Sequence, residues 1–257
     1  MIKGVIFDWA GTTVDFGCFA PVEVFLTIFE EEGIEVTYEE ARKPMGMLKI
    51  DHIRTMLQMP RIASEWQVIK GAPSTEQDVQ RMYASFETQL MATLAQFTTP
   101  IPHVVECVEA LRQQGIKIGS TTGYTTKMMA VVKEGAARLG YTPDTIVTAD
   151  DVSGYGRPYP YMIFENMKRL QLSHVDEVIK VGDTVSDIKE GVQAGIYTVG
   201  VLVGSSEMGL SEAAYARLSV EDRQKIIAAT KAKFEAAGAN ATIETMAQLL
   251  PLIETLY

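Results

Sequence analysis

The feature that most constrains this chain is a strand–helix alternation that starts, breaks off and resumes. Val5-Ile6-Phe7-Asp8 is a short apolar run ending in an acid and followed by the turn-forming Gly11-Thr12-Thr13. It predicts a buried parallel strand with a loop at its C-terminal end. After Pro100-Ile101-Pro102 the alternation sets in. Strands are predicted at 116–121, 145–148, 178–181 and 197–201, and helices at 104–114, 126–139, 160–170 and 185–194. Such a pattern folds as a doubly wound, Rossmann-like α/β parallel sheet with helices on both faces. Residues 20–97 lack strand signals and carry apolar residues at three- and four-residue steps. Helices are predicted there at 21–32, 37–43, 47–59 and 75–97, punctuated by Gly33, Pro44, Pro60 and Gly71-Ala72-Pro73. The expected organisation is an α/β core of residues 1–19 and 99–257, interrupted by an all-helical domain of residues 20–98. Residues 212–257 read as additional helices.

Charge and cysteine usage narrow the function classes. The net charge of −10 argues against nucleic acid held on a basic surface. An anionic substrate therefore needs a local pocket with named cations or helix N-termini. Cys18 and Cys107 are the only cysteines, with no CxxC and no zinc spacing, so neither a disulfide framework nor a structural zinc site is expected. Met1-Ile2-Lys3 runs straight into the first strand without signal-peptide zones, and no apolar run has the length of a membrane span. The expectation is a cytoplasmic protein, in which Asn240-Ala241-Thr242 matches a glycosylation acceptor by chance.

In open α/β sheets, ligands sit beyond the C-terminal ends of the strands. Those positions hold Asp8-Trp9-Ala10-Gly11-Thr12, Ser120-Thr121-Thr122-Gly123, Gly156-Arg157-Pro158 and Gly182-Asp183-Thr184, with Asp187 one turn later. One strand-end aspartate is usually a cap or turn former. Four such positions in order are harder to assign to chance. Asp8 and Asp183 suit hard Mg²⁺, and a carboxylate can attack phosphorus to give an aspartyl-phosphate. Thr122 can donate to phosphoryl oxygens, and Arg157 can balance their charge.

With these four motifs and a helical insert after the first, the whole chain resembles the haloacid dehalogenase (HAD) superfamily of phosphotransferases. The resemblance implies that the insert is a cap domain, that Asp8 is the nucleophile and that Thr122 and Arg157 bind the phosphoryl group. It further implies that Mg²⁺ is held by Asp8, Asp183 and the backbone carbonyl of Ala10, with Asp187 orienting the site from behind.

Ala10 breaks the usual phosphatase pattern, which has an aspartate there as general acid and base. A placed proton-transfer group is typically worth ~10²–10⁴-fold, and alanine cannot move a proton. Either the protein is inactive or its leaving group is not an alkoxide. The cap segment Pro44-Met45-Gly46-Met47-Leu48-Lys49-Ile50-Asp51-His52 places Lys49 and His52 on one helical face, with Met45 a turn before. A lysine at such a site is most often solvated. Desolvated beside apolar residues, it would favour the neutral amine and form a Schiff base with a carbonyl substrate.

The runs 42–52, 8–15 and 17–21, with Arg157-Pro158-Tyr159-Pro160, resemble the phosphonatase family of this superfamily. That resemblance implies an imine between Lys49 and the aldehyde of phosphonoacetaldehyde. It also implies transfer of phosphorus from carbon to Asp8, release of acetaldehyde and phosphate, and a homodimer formed through the cap. By the same resemblance Cys18, Met45, His52, Gly123 and Tyr124 line the substrate pocket, and His52 is one candidate for activating water. Trp66 and the methionine-rich cap helices read as cap core or as a dimer contact. The alternatives are a HAD phosphatase or mutase acting on a phosphate ester, and a non-catalytic binder of phosphorylated metabolites. Ala10 counts against the first, and retention of both Asp8 and Asp183 against the second. Metal-free dehalogenation sits poorly with Asp183.

Overall fold

In the computed structural model, described for residues 1–256, the apolar runs form one parallel sheet. Its strands are β1 (Gly4–Phe7), β2 (Lys117–Ser120), β3 (Val178–Gly182), β4 (Tyr197–Val201) and β5 (Ala241–Ile243). They lie in the order β2-β1-β3-β4-β5, every pairing parallel. β1 and β3 are buried along their whole length, as expected for central strands covered on both faces. The order reverses direction beside β1, which puts the loops after β1, β2 and β3 at the crevice where such folds bind ligands.

Helices α1 (Phe19–Glu31), α2 (Tyr38–Arg42), α3 (Lys49–Leu57), α4 (Pro60–Lys70) and α5 (Glu76–Thr93) form the insert after β1. Capping boxes start α2 at Thr37/Glu40 and α5 at Thr75/Asp78, and Gly71 in the left-handed region ends α4. The chain enters the insert through a strained turn in which Asp15 and Cys18 have φ of 56° and 53°. Asp15 stabilises this turn by accepting the first free N–H groups of α1, from Phe19 and Ala20, both at 3.0 Å. From the cap side, Arg42 donates to the Gly17 carbonyl at 2.7 Å.

The remaining helices α6 (Val104–Gln113), α7 (Thr126–Arg138), α8 (Tyr161–Arg169), α9 (Val185–Ala194), α10 (Glu212–Arg217), α11 (Val220–Ala237) and α12 (Leu249–Glu254) belong with the sheet. No helix among the described residues is long and apolar enough to cross a membrane.

Several expectations need correction. Residues 145–148 make only an isolated bridge, Thr121 to Val147, and not a strand. The outward N–H groups of β2 are already taken by side chains: Ile118 donates to Asp144 at 2.7 Å and Ser120 to Asn166 at 3.2 Å. With those donors spent only half of a ladder forms, Thr145 and Val147 donating to the Ile118 and Ser120 carbonyls at 3.3 and 3.0 Å. The C-terminal region is not all helix, since Ala241 and Thr242 lie in β5, and α4 occupies a stretch for which no helix was expected. Trp66 is buried in the chain's own interior, 2% exposed, and so presents no outward dimer contact.

Candidate active site

The turn after β1 and the turn after β3 bring two carboxylates together. Asp8 continues the parallel ladder by donating its N–H to Val181 at 2.9 Å, and the Thr13 hydroxyl closes the turn onto the Asp8 carbonyl at 3.0 Å. Asp8, Asp183 and Asp187 each present an oxygen within 4.8 Å of the others. Asp183 is held through Oδ1 by the Thr12 hydroxyl and through Oδ2 by the Ser206 N–H, both at 2.8 Å. Asp187 caps α9 through Thr184 at 2.5 Å and pairs with Lys180 at 2.9 Å and Arg157 at 3.0 Å.

These partners separate the three acids electrostatically. Burial works against charge on Asp187, but Arg157 and Lys180 overcome it and hold its carboxyl below the usual range. Burial followed by repulsion from Asp187 pushes Asp8 up, against the pull of Arg157. Burial followed by repulsion from Asp8 pushes Asp183 well above the carboxylate range. The pair Asp8/Asp183 shares one cation, Arg157 on Asp8, whereas Asp187 alone meets two, Arg157 and Lys180. An all-oxygen pair of this kind fits a hard divalent cation such as Mg²⁺.

Arg157 is fully sequestered, and its guanidinium serves several groups at once. Nη2 meets Asp8 Oδ1 at 2.7 Å and Thr121 Oγ1 at 2.8 Å, while Nε meets Glu190 at 2.9 Å. Burial alone would disfavour its charge, but Asp187, Asp8 and Glu190 raise its pKa well above the usual value. Thr122 accepts the Tyr124 N–H at 3.0 Å, which leaves its own proton for another acceptor.

The cap supplies the opposite wall. Lys49 opens α3 and is 4% exposed, with Nζ 3.9 Å from Met45 Sδ and 5.2 Å from the centre of the Tyr124 ring. Desolvation lowers its pKa. Its place at the first helical position adds the positive end of the helix dipole, which acts in the same direction. Met45 lies in the turn before α3, not on the helix, but still reaches the amine.

Asp8, Ala10, Thr122, Gly123, Tyr124 and Arg157 face Cys18, Met45, Gly46 and Lys49 across one cavity. The free space between them, about 20 Å³, is about that of a single water. At the seam around it two glycines allow close approach. A Cβ on Gly46 would lie 2.4 Å from Thr184 Oγ1, and one on Gly123 would lie 2.6 Å from the Met47 carbonyl oxygen.

His52 is placed differently from the expectation: it is absent from the cavity lining. It is buried behind Lys49, stacked on Phe25 at 3.8 Å, with Nε2 at 2.8 Å from the Ala41 carbonyl. Burial and the neighbouring Lys49 depress its pKa well below the usual histidine value, which favours the neutral ring. Cys18 does line the cavity, and burial raises its thiol pKa, favouring the neutral form. Thr12, Ser206, Lys180, Glu190 and the hydroxyl of Thr121 were not expected as site residues. Lys180 carried a signal, as a cation in the middle of an apolar strand.

The family model for haloacid dehalogenase-like hydrolases matches residues 2–195. The phosphonoacetaldehyde hydrolase of Lysinibacillus sphaericus is 59% identical over 255 residues, covering 99% of this chain and 95% of that protein. The chain belongs to the phosphonoacetaldehyde hydrolase family. Another family member, from Bacillus cereus, is 54% identical over 98% of this chain and 96% of its own length. Among solved structures, a phosphonoacetaldehyde hydrolase-like protein from Oleispira antarctica superposes with a TM-score of 0.96 at 42% identity, covering 99% of this chain and 92% of that one. The parallel sheet and the helical insert are therefore those of this hydrolase family.

Proposed function

We propose that the chain hydrolyses the carbon–phosphorus bond of phosphonoacetaldehyde, giving acetaldehyde and phosphate. The observation that carries the reading is Lys49, a desolvated amine facing Asp8 across a cavity whose usual acid position is Ala10. The Lys49 amine adds to the aldehyde carbon, and loss of water gives an imine. Protonated, the imine is an electron sink, so the electrons of the C–P bond pass into an enamine while phosphorus bonds to a carboxylate oxygen of Asp8. The leaving group is carbon conjugated to nitrogen, which needs no proton from position 10. Protonation of the enamine at carbon and hydrolysis of the imine release acetaldehyde and restore Lys49. Hydrolysis of the aspartyl-phosphate releases phosphate.

Arg157 and Thr122 donate to the phosphoryl oxygens, with Gly123 keeping the loop low enough for them to do so. Met45, Tyr124 and Cys18 exclude water around the amine. Asp8, Asp183 and the Ala10 carbonyl would hold Mg²⁺, with Asp187 orienting Arg157 and Lys180 behind them. Bound there, the ion supplies positive charge to the phosphoryl group and to the Asp8/Asp183 pair. The same reading takes residues 20–98 as the cap and residues 1–19 and 99–257 as the core. It places a homodimer contact on the cap, where Val68 and Ile69 of α4 are exposed.

The test is reductive trapping. Acetaldehyde plus borohydride is expected to leave a reduced adduct on the Lys49 peptide, and Lys49→Ala is expected to lose both the adduct and turnover. An unlabelled Lys49 peptide, with turnover intact in the variant, would sink the imine.

A further inference from the structure

Beneath Asp8 lies a buried cluster of charges that the reaction does not touch. Glu190 on α9, Lys180 on β3 and Asp187 are all fully buried, and Arg157 joins them. Arg157 therefore faces three carboxylates, of which only Asp8 borders the cavity. Left to Coulomb attraction alone, the guanidinium has as much reason to settle on Asp187 and Glu190 as on Asp8.

Thr121 sits at the junction. Its Oγ1 lies 2.8 Å from Arg157 Nη2, 2.9 Å from Lys180 Nζ and 3.0 Å from Glu190 Oε2. The first two are donors, so the hydroxyl accepts both and gives its one proton to Glu190, which fills its capacity. Lys180 in turn shares the two deep acids, at 2.9 Å from Asp187 and 3.4 Å from Glu190. Glu190 holds Nε of Arg157 from below, and the Gly46 carbonyl of the cap takes Nη1 at 3.3 Å from above. With those positions fixed, Nη2 is left between Asp8 Oδ1 at 2.7 Å and Asp187 Oδ1 at 3.0 Å, with Asp8 the nearer.

We propose that Thr121 is a positioning residue for phosphoryl transfer: its hydroxyl, with Lys180 and Glu190, locks Arg157 so that Nη2 stays on Asp8 and on the phosphoryl group arriving there. The inference rests on the reading of Asp8 as the phosphoryl acceptor. Neighbouring Thr122 binds the phosphoryl group itself, whereas Thr121 touches neither substrate nor cavity and acts through Arg157.

The test measures two half-reactions on the intact protein. Phosphate release from phosphonoacetaldehyde reads the transfer to Asp8, and borohydride trapping with acetaldehyde reads the amine of Lys49. Thr121→Val is expected to lower kcat roughly 10- to 100-fold, the scale of a hydrogen bond to a charged group. Its trapping rate is expected to stay at the wild-type level. Thr121→Ser is expected to restore most of kcat, and Glu190→Gln to repeat the Thr121→Val pattern. Should Thr121→Val not fold, Glu190→Gln decides alone. Three outcomes overturn the proposal: unchanged kcat in Thr121→Val, trapping that falls in step with kcat, or no recovery in Thr121→Ser. Wild-type protein that releases no phosphate fails at an earlier point, removing the reading of Asp8 and this inference with it.

Discussion

The cap face and the core floor each bury one lysine, and burial does not distinguish them: Lys49 is 4% exposed and Lys180 is 0% exposed. Their surroundings do. Lys180 Nζ meets two carboxylates and a hydroxyl. Lys49 Nζ meets a thioether and the faces of Tyr124 and Phe25. Both side chains lose hydration, but only Lys180 recovers it through ion pairs. On the floor the cation holds acids in place. On the cap the unrecovered cost is expressed as easier loss of a proton, which is what an amine needs before it can attack an aldehyde.

The contrast can be tested by separating the two regions. The largest expected effect is from Asp8→Asn, which should lower phosphate release by ~10⁴-fold or more while reductive labelling of Lys49 continues. Loss of labelling in that variant would show that floor and cap do not act separately. Next comes stability. Lys180→Met leaves Asp187 and Glu190 with one cation between them and should destabilise the fold by ~3–5 kcal/mol in urea unfolding. Lys49→Met replaces a desolvated amine with an apolar chain of similar length and should stabilise by ~1–2 kcal/mol. The same substitution at two equally buried lysines is thus expected to have opposite signs; equal signs would refute the contrast. The smallest effect is in pH. Burial favours the neutral Lys49 amine, so the labelling rate should rise with pH and reach half-maximum below the ordinary lysine value of 10.5. A midpoint at or above that value would remove the desolvated amine from the mechanism.

Asp8 and Asp183 were legible in the sequence because strand ends are, whereas Arg157 follows residues 145–148, which make only an isolated bridge, and reaches Asp8 from a loop. An apolar run announces where a parallel strand stops, and the fold dictates that chemistry follows there. Ala10 was legible as a departure from an expected residue. The supporting contacts were not, because they come from distant segments. Ser206 reaches Asp183 through a backbone N–H, a group every non-proline residue has. Residues 145–148 have the composition of a strand, and what denies them a full ladder is Asp144 and Asn166 occupying the donors of β2. His52 shares a helical face with Lys49 as its spacing required, but periodicity cannot say which residue on a face points into a cavity and which packs behind.

The glycine seam between cap and core has a consequence for how this enzyme family can change. Where Gly46 rests on the Thr184 and Ser186 side chains and Gly123 rests under the Met47 carbonyl, neither glycine can gain a side chain without propping the halves apart. Mutational drift towards bulkier aldehydes has little room at those two glycines. Diversification is instead channelled to the interior wall of Met45, Cys18 and Tyr124, so a library randomised there should yield new specificities, whereas one aimed at the two glycines should yield mostly inactive proteins.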